Sequence, residues 1–288
     1  MERQRFGNSD LSVSAIGLGC YGMSGVYGRA DDAESIATIR RALDLGFNLL
    51  DTSASYGEGH NHRLIGEAIR GRRREVVIHS KSGSPRDGSP DAIRGGGDPG
   101  YLRKTCEQSL KNLGIDTLDV FCMSRVDPNV PVEESVGGMA ELVREGKTRF
   151  ISLSECSAES LRRGGAVHPL VSLQMEYSLF SRDAEEQGQI AACKQLGVAM
   201  MAYAVLGRGM LSAQPPKVEE LAADDVRQRL PRFQSVNVEK NLQLHSALAG
   251  TARRKNATLS LGHRPCDREL GQRSVFPARN ALECRPQP

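Results

Sequence analysis

Asn48-Leu-Leu-Asp51-Thr-Ser-Ala-Ser-Tyr56-Gly57 is an apolar run that ends on a carboxylate, with a tyrosine after a short polar gap. Val76-Val-Ile-His-Ser-Lys81 then repeats the form, an apolar run ending on a lysine. Ionisable side chains at the ends of buried strands are costly unless they pair or carry chemistry. A lysine beside a tyrosine favours the phenolate, so the phenol gives up its proton more readily. A carboxylate beside that lysine keeps it charged. Each residue alone has a simpler reading: Asp51 as a cap, Tyr56 as a half-buried aromatic, Lys81 as a strand-end charge reaching water. The three in this order, with what surrounds them, reverse the balance.

The strand-like runs continue along the chain. Ser14–Leu18, Asn48–Leu50, Val76–Ser80, Leu118–Met123, Phe150–Leu153, Val171–Met175 and Ala199–Tyr203 are mostly apolar on successive residues, the pattern of strands buried on both faces. Helical periods lie between them. Asp31-Asp-Ala-Glu34 has the form of a capping box ahead of Ile36, Ile39 and Leu43. Further helices are expected around Leu64–Ile69, Leu102–Leu113 and Val136–Val143, over 157–163 and 184–196, and from Val238 to Ala252. Such alternation implies a parallel sheet with helices outside, either an open doubly wound sheet or a (β/α)8 barrel. Ile16-Gly-Leu-Gly-Cys-Tyr-Gly-Met is rich in glycine, but the next helical pattern opens only at Asp31, which argues against a dinucleotide-binding phosphate turn. Asp51, Lys81, Arg125, Ser154, Gln174 and Tyr203 instead collect at the C-terminal ends of strands, where barrel enzymes place their sites.

Composition is that of an ordinary soluble globular protein, and a net charge of +3 is too small to argue for nucleic acid or a membrane surface. Arg70-Gly-Arg-Arg-Arg74 reads as a solvated cap at a helix end. The N-terminus has no apolar core of a secretory signal, and no window reaches membrane-spanning length. Seven cysteines, without metal-ligand or Cys-x-x-Cys spacing, read as reduced thiols in a cytoplasmic protein with no metal site.

At these residues the chain resembles the aldo-keto reductases. The resemblance rests on Ile16-Gly-Leu-Gly-Cys-Tyr-Gly-Met-Ser, Ala42-Leu-Asp-Leu-Gly-Phe-Asn-Leu-Leu-Asp-Thr, Leu110-Lys-Asn-Leu-Gly-Ile-Asp, Leu142-Val-Arg-Glu-Gly-Lys, Ile151-Ser-Leu-Ser-Glu, Leu173-Gln-Met-Glu-Tyr-Ser and Leu206-Gly-Arg-Gly, in order, through most of residues 5–255. It implies a (β/α)8 barrel that uses NADPH to reduce a small-molecule aldehyde or ketone. Tyr56 would protonate the carbonyl oxygen, Lys81 would lower its pKa, and Asp51 would hold Lys81. By the same resemblance the nicotinamide lies against Tyr203, its carboxamide meets Ser154, Glu155 and Gln174, and the Leu206-Gly207-Arg208-Gly209 turn joins Asp51 among the cofactor-binding residues.

Two departures stand out. Where the family reads His-Arg-Val-Asp-Pro, this chain reads Ser124-Arg125-Val-Asp-Pro, so the tetrad histidine is Ser124. Losing one such donor costs about two to three orders of magnitude in rate. His79 shares a strand face with Lys81, and a buried neutral histidine below the lysine is preferred to a substitute for the missing one. His60 and His62 are expected to face solvent. Beyond Ser260 the family continues with a helix, an eighth strand, an Ile-Pro-Gly-Thr-Lys-like turn and a last helix that grip the cofactor's phosphates. Here residues 256–288 form an atypical tail with no helical period and no clear strand, and Val275-Phe-Pro-Ala-Arg-Asn only faintly echoes the turn. Residues 1–255 are therefore read as the barrel domain, incomplete or irregular at the eighth β/α unit. Three readings of the tail stand: a frameshifted or mis-spliced end, an irregular filling of the gap, or a degenerate relative that binds dinucleotide poorly. Specialised metabolism is one setting for the reductase, and the alternative is a non-catalytic or weakly active protein on the same fold. Residues 83–100 and 207–235 are expected to form variable loops at the site.

Overall fold

The computed structural model describes residues 1–85 and 96–254, and the backbone of Ser274–Ala278. A short antiparallel hairpin, β1 (Arg3–Arg5) and β2 (Ser12–Ser14), precedes the main sheet. Seven parallel strands then follow in chain order around a barrel: β3 (Ile16–Gly19), β4 (Leu49–Ser53), β5 (Val77–Lys81), β6 (Leu118–Met123), β7 (Thr148–Ser154), β8 (Leu170–Glu176) and β9 (Ala199–Tyr203). Each predicted run holds a strand, with ends displaced by a few residues at most positions. The helices outside are α1 (Asp32–Asp44), α2 (His60–Ala68), α3 (Pro99–Leu113), α4 (Val132–Arg144), α5 (Ala158–Val167), α6 (Asp183–Glu186), α7 (Gln189–Leu196) and α8 (Ser235–Arg254). The N-cap bond expected at α1 forms: the Asp31 side chain accepts the Glu34 N–H at 2.8 Å. The helix expected over 184–196 is two pieces, broken at Gly188 with φ +81°.

The eighth position corrects the expectation of a missing strand. Ser274–Ala278, β10, pairs in parallel with β9 and with β3, closing the ring. Its pairing is short, two residues on one side and three on the other, and Pro277 lacks a backbone N–H to donate to a ladder, so this unit is irregular as expected. The rest of the tail, and residues 86–95 of the loop expected over 83–100, lie outside the described residues.

Two apolar layers hold the barrel. The larger core lies between strands and helices and includes Leu50, Ile65, Ile78, Leu102, Phe121, Leu142 and Leu153. A second cluster sits at the N-terminal end of the strands, where Phe6, Leu11 and Val13 of the hairpin pack on Leu49, Val77, Val120, Val171 and Met201. The hairpin thus plugs the end of the barrel opposite the site. It comes so close that a Cβ added at Gly7, at φ +57°, would stand 2.2 Å from Val171 O. Residues 207–235, expected as a variable loop, form a chain of short turns. They are pinned by buried Asp225 on Arg227 at 2.6 Å and by Val226 N–H on Val26 O at 3.0 Å.

Candidate active site

Strand alternation and register bring the ionisable groups together at the C-terminal mouth. Asp51 pairs in register with His79, and Ser53 with Lys81, on neighbouring strands β4 and β5. Lys81 Nζ donates to Asp51 Oδ1 at 2.6 Å, with both side chains buried. The same oxygen accepts His79 Nδ1 at 3.0 Å and Gln174 Nε2 at 3.0 Å. Burial pushes the Asp51 carboxyl up, but Lys81 and His79 together outweigh it and hold Asp51 at about 2. Burial works against the Lys81 ammonium, yet Asp51 carries it above its ordinary value, so the pair is ionised across the physiological range.

Tyr56 reaches this pair from a left-handed turn. Gly57, Glu58 and Gly59 follow it with φ of 55°, 52° and 84°. At φ +84° Gly59 sits where L side chains are strained, so the turn favours glycine there. The Lys81 ammonium lies 5.2 Å from the centre of the Tyr56 ring. It acts in the expected direction, but burial is the larger effect and the phenol is pushed up to about 12.

A cavity of about 350 Å³ opens over these groups, lined by Asp51, Tyr56, Lys81, Ser124, Ser154, Gln174, Tyr203 and Arg208 among others. Ser124, in the histidine position, accepts the Gly83 N–H at 2.8 Å and contributes a hydroxyl to the wall. Glu155, Leu206, Gly207 and Gly209 are close in the chain but do not line the cavity. The Glu155 carboxylate accepts the Glu176 N–H at 2.6 Å. The Arg208 guanidinium, which does line the cavity, donates to Glu176 Oε2 at 3.3 Å. The four non-glycine residues with positive φ among the described residues are Glu58, Glu155, Ala204 and Arg208, of which Ala204 and Arg208 line the cavity. Backbone strain of this kind costs about 1–3 kcal/mol each and gathers at functional sites.

Several wall residues escaped the sequence reading. Tyr21 packs on Tyr56 with ring centres 4.6 Å apart, and Tyr27 meets Tyr21 edge-on at 5.5 Å. With Val26 they form an apolar side to the cavity. Tyr21 stands inside the glycine-rich segment, where it had no partner in sequence to mark it. The two histidines expected in solvent behave otherwise. His62 is buried, its Nε2 2.9 Å from Ser80 Oγ and its ring held neutral by burial, at about 4. It cannot face water because α2 turns it onto the outer face of β5. His60 is half-buried between Asp32 at 3.0 Å and Ser24 at 3.0 Å. His79 is fully buried and does not reach the cavity, so it does not stand in for the missing histidine.

A parallel barrel with an Asp–Lys–Tyr cluster at its C-terminal mouth is the arrangement that the resemblance to the aldo-keto reductases implied. Residues 15–261 match the model of the aldo/keto reductase family, and the chain belongs to that family. Among solved structures it is similar to a glycerol dehydrogenase, AKR11B4, from Gluconobacter oxydans, at 26% identity and a TM-score of 0.81, over 95% of this chain and 85% of that one. It is also similar to an aldo/keto reductase from Klebsiella pneumoniae in complex with NADP and acetate, at 25% identity and a TM-score of 0.72, over 98% and 86%. The fold is shared with the aldo-keto reductase AKR11C1 from Bacillus halodurans, at 23% identity and a TM-score of 0.78, over 96% and 86%.

Proposed function

We propose that this protein reduces a small-molecule aldehyde or ketone to the alcohol with NADPH, and that Tyr56 delivers the proton to the carbonyl oxygen. The observation that carries the reading is the relay of Asp51, Lys81 and Tyr56 opening on one cavity. NADPH supplies the hydride when bound. The chain's own residues fit its nicotinamide end. Ser154, Gln174 and Tyr203 offer a hydroxyl, an amide and a ring face on one wall of the cavity, complementary to a carboxamide and a flat heterocycle. We assign Glu155 and the Leu206–Gly209 turn, with Arg208, to the edge of the same site. The NADP-bound Klebsiella structure supports the choice of dinucleotide.

Tyr56 holds the transferable proton, and Lys81 stabilises the phenolate left behind. Asp51 keeps Lys81 charged and in place. The paired Asp51–Lys81 charges are already desolvated and fixed, so little reorganisation accompanies proton transfer. Tyr21, Val26 and Tyr27 give the cavity an apolar wall that keeps water from the carbonyl, and Ser124 adds a hydroxyl to the same cavity. We place the protein in the cytoplasm, consistent with five free, buried cysteines among the described residues. No helix among the described residues is long and apolar enough to cross a membrane.

A second reading, a weakly active or non-catalytic relative, draws on Ser124 in place of histidine and on the high Tyr56 value. Turnover separates the two. With NADPH and a panel of aldehydes and ketones, wild-type protein is expected to turn over while Tyr56→Phe binds NADPH equally well and loses at least about 100-fold in kcat, within the range for a positioned proton donor. Equal turnover by the two proteins would remove Tyr56 from the reaction.

A further inference from the structure

His79 lies inside the barrel on β5, two residues before Lys81, with no exposed surface. Its Nδ1 is 3.0 Å from Asp51 Oδ1 and its Nε2 is 3.2 Å from Ser152 Oγ. Ser172 Oγ in turn donates to Ser152 Oγ at 2.9 Å. Chemistry assigns the protons. An ionised carboxylate only accepts, so Nδ1 carries the hydrogen. Burial disfavours the imidazolium, which leaves Nε2 as an acceptor for the Ser152 hydroxyl. A directed chain of donors therefore runs from Ser172 on β8 through Ser152 on β7 and His79 on β5 to Asp51 on β4.

Asp51 Oδ1 takes three donors at once: Lys81 at 2.6 Å, and His79 and Gln174 at 3.0 Å each. Two of the three are neutral. They draw charge density from the carboxylate without adding a cation, so Asp51 neutralises less of the lysine. The other titratable groups around the pair are Tyr56, His62, whose ring burial holds neutral, Cys122 after burial has pushed its thiol up to about 12, and Cys20, whose thiol burial also holds protonated. None of them donates to Asp51 Oδ1.

We propose that His79 is a positioning residue for the Asp51–Lys81–Tyr56 relay, holding the shared oxygen in register with Lys81 and leaving more of the ammonium's field for Tyr56. The inference rests on the reductase reading and adds to it a residue that never touches substrate. A histidine that merely fills the barrel interior would be replaceable by leucine at a cost in stability alone.

The test compares wild type, His79→Leu and His79→Asn. Leucine fills similar space without a donor, and the asparagine amide nitrogen can stand where Nδ1 stands. In alcohol oxidation, where Tyr56 must accept the proton, the limb on which kcat rises with pH should move up by about half a unit to one unit in His79→Leu. Its kcat near neutral pH then falls about three- to tenfold, one pH unit being tenfold. NADPH affinity and substrate KM should stay unchanged, and His79→Asn should restore the wild-type profile. Turnover by wild type with the same profile in His79→Leu overturns the positioning role alone. No turnover by wild type overturns the reductase reading and this inference with it. Should His79→Leu not fold, the imidazole ¹⁵N spectrum of wild type decides. A fixed Nδ1–H tautomer supports the donor chain, and an Nε2–H tautomer overturns it.

Discussion

Ser124 accepts the Gly83 N–H at 2.8 Å and faces the cavity where the family places a second donor to the carbonyl. The hydroxyl is satisfied by a backbone group, so it serves the loop as much as a substrate. Ser124→His is expected to raise kcat about tenfold or more, part of the hundredfold or larger effect of one such donor, with NADPH affinity unchanged. Steady-state rates on one carbonyl substrate check it, and a fall in kcat would mean that the serine is part of this enzyme's own arrangement. Asp51 bears on the acid side of any pH profile. Its folded-state value is depressed to about 2, so its contribution is present above the ordinary carboxylate value of 3.8 and is lost only as pH falls through about 2. An activity limb near pH 5 must therefore belong to another group. Of the candidate site, Asp51, Tyr56 and Lys81 were legible in the sequence because each ends or follows an apolar run, and Ser124 only through the family resemblance. Tyr21 and the His79 and Gln174 bonds to Asp51 were not, since they depend on which strands become neighbours.

Helix α2 and strand β5 are joined by His62, whose ring lies buried against Ser80. Burial holds its folded-state value near 4, below the ordinary 6.5. The unfolded chain thus binds more protons between these two values, and stability must fall as pH drops through that window and level off below it. The full effect is about 3 kcal/mol, each unit being about 1.4 kcal/mol. Urea unfolding of wild type at pH 7 and pH 4 should show this loss, and His62→Gln should lack most of it. An equal loss in both proteins would place the acid sensitivity elsewhere. At this scale apolar runs located the barrel strands β3 to β9, but the β1–β2 hairpin was missed. Its strands have three residues each and no apolar run, and their role comes from Phe6, Leu11 and Val13 meeting a barrel end made by distant segments. The turns of 207–235 were equally hidden, because Asp225, Arg227 and Tyr27 come together only through the tertiary fold.

Across the whole molecule the decisive feature is closure. β10 stands between β9 and β3, whose edges would otherwise be free. Unpaired edges of parallel strands are templates for association. A chain ending after Arg254 is expected to self-associate and to lose thermal stability relative to the full chain, as read by light scattering and a melting curve at equal concentration. A monodisperse truncated protein with an unchanged melting point would show that β10 adds nothing to closure. NADPH titration of the same two proteins tests whether the tail also matters to the cofactor. The expected result is tighter binding by the full chain, because β10 completes the barrel whose mouth forms the site.

The sequence by itself, through apolar runs and its resemblance to the aldo-keto reductases, determined the barrel class and marked Asp51, Tyr56 and Lys81 as candidates for one site, because such runs and the charges that end them are local properties of the chain. It also marked the substitution at Ser124 and the unusual composition of the tail. Only the tertiary structure decided that residues 274–278 join the ring, although proline and a weak apolar pattern argue against a strand there. Pairing with two waiting strand edges supplies hydrogen bonds that local propensity cannot anticipate. The same holds for Tyr56. A lysine nearby predicts a more acidic phenol, while the burial that pushes it up to about 12 comes with the packing of separate segments such as that of Tyr21. Burial is a property of the assembled molecule, and here it outweighs the pairwise charge that sequence alone can suggest.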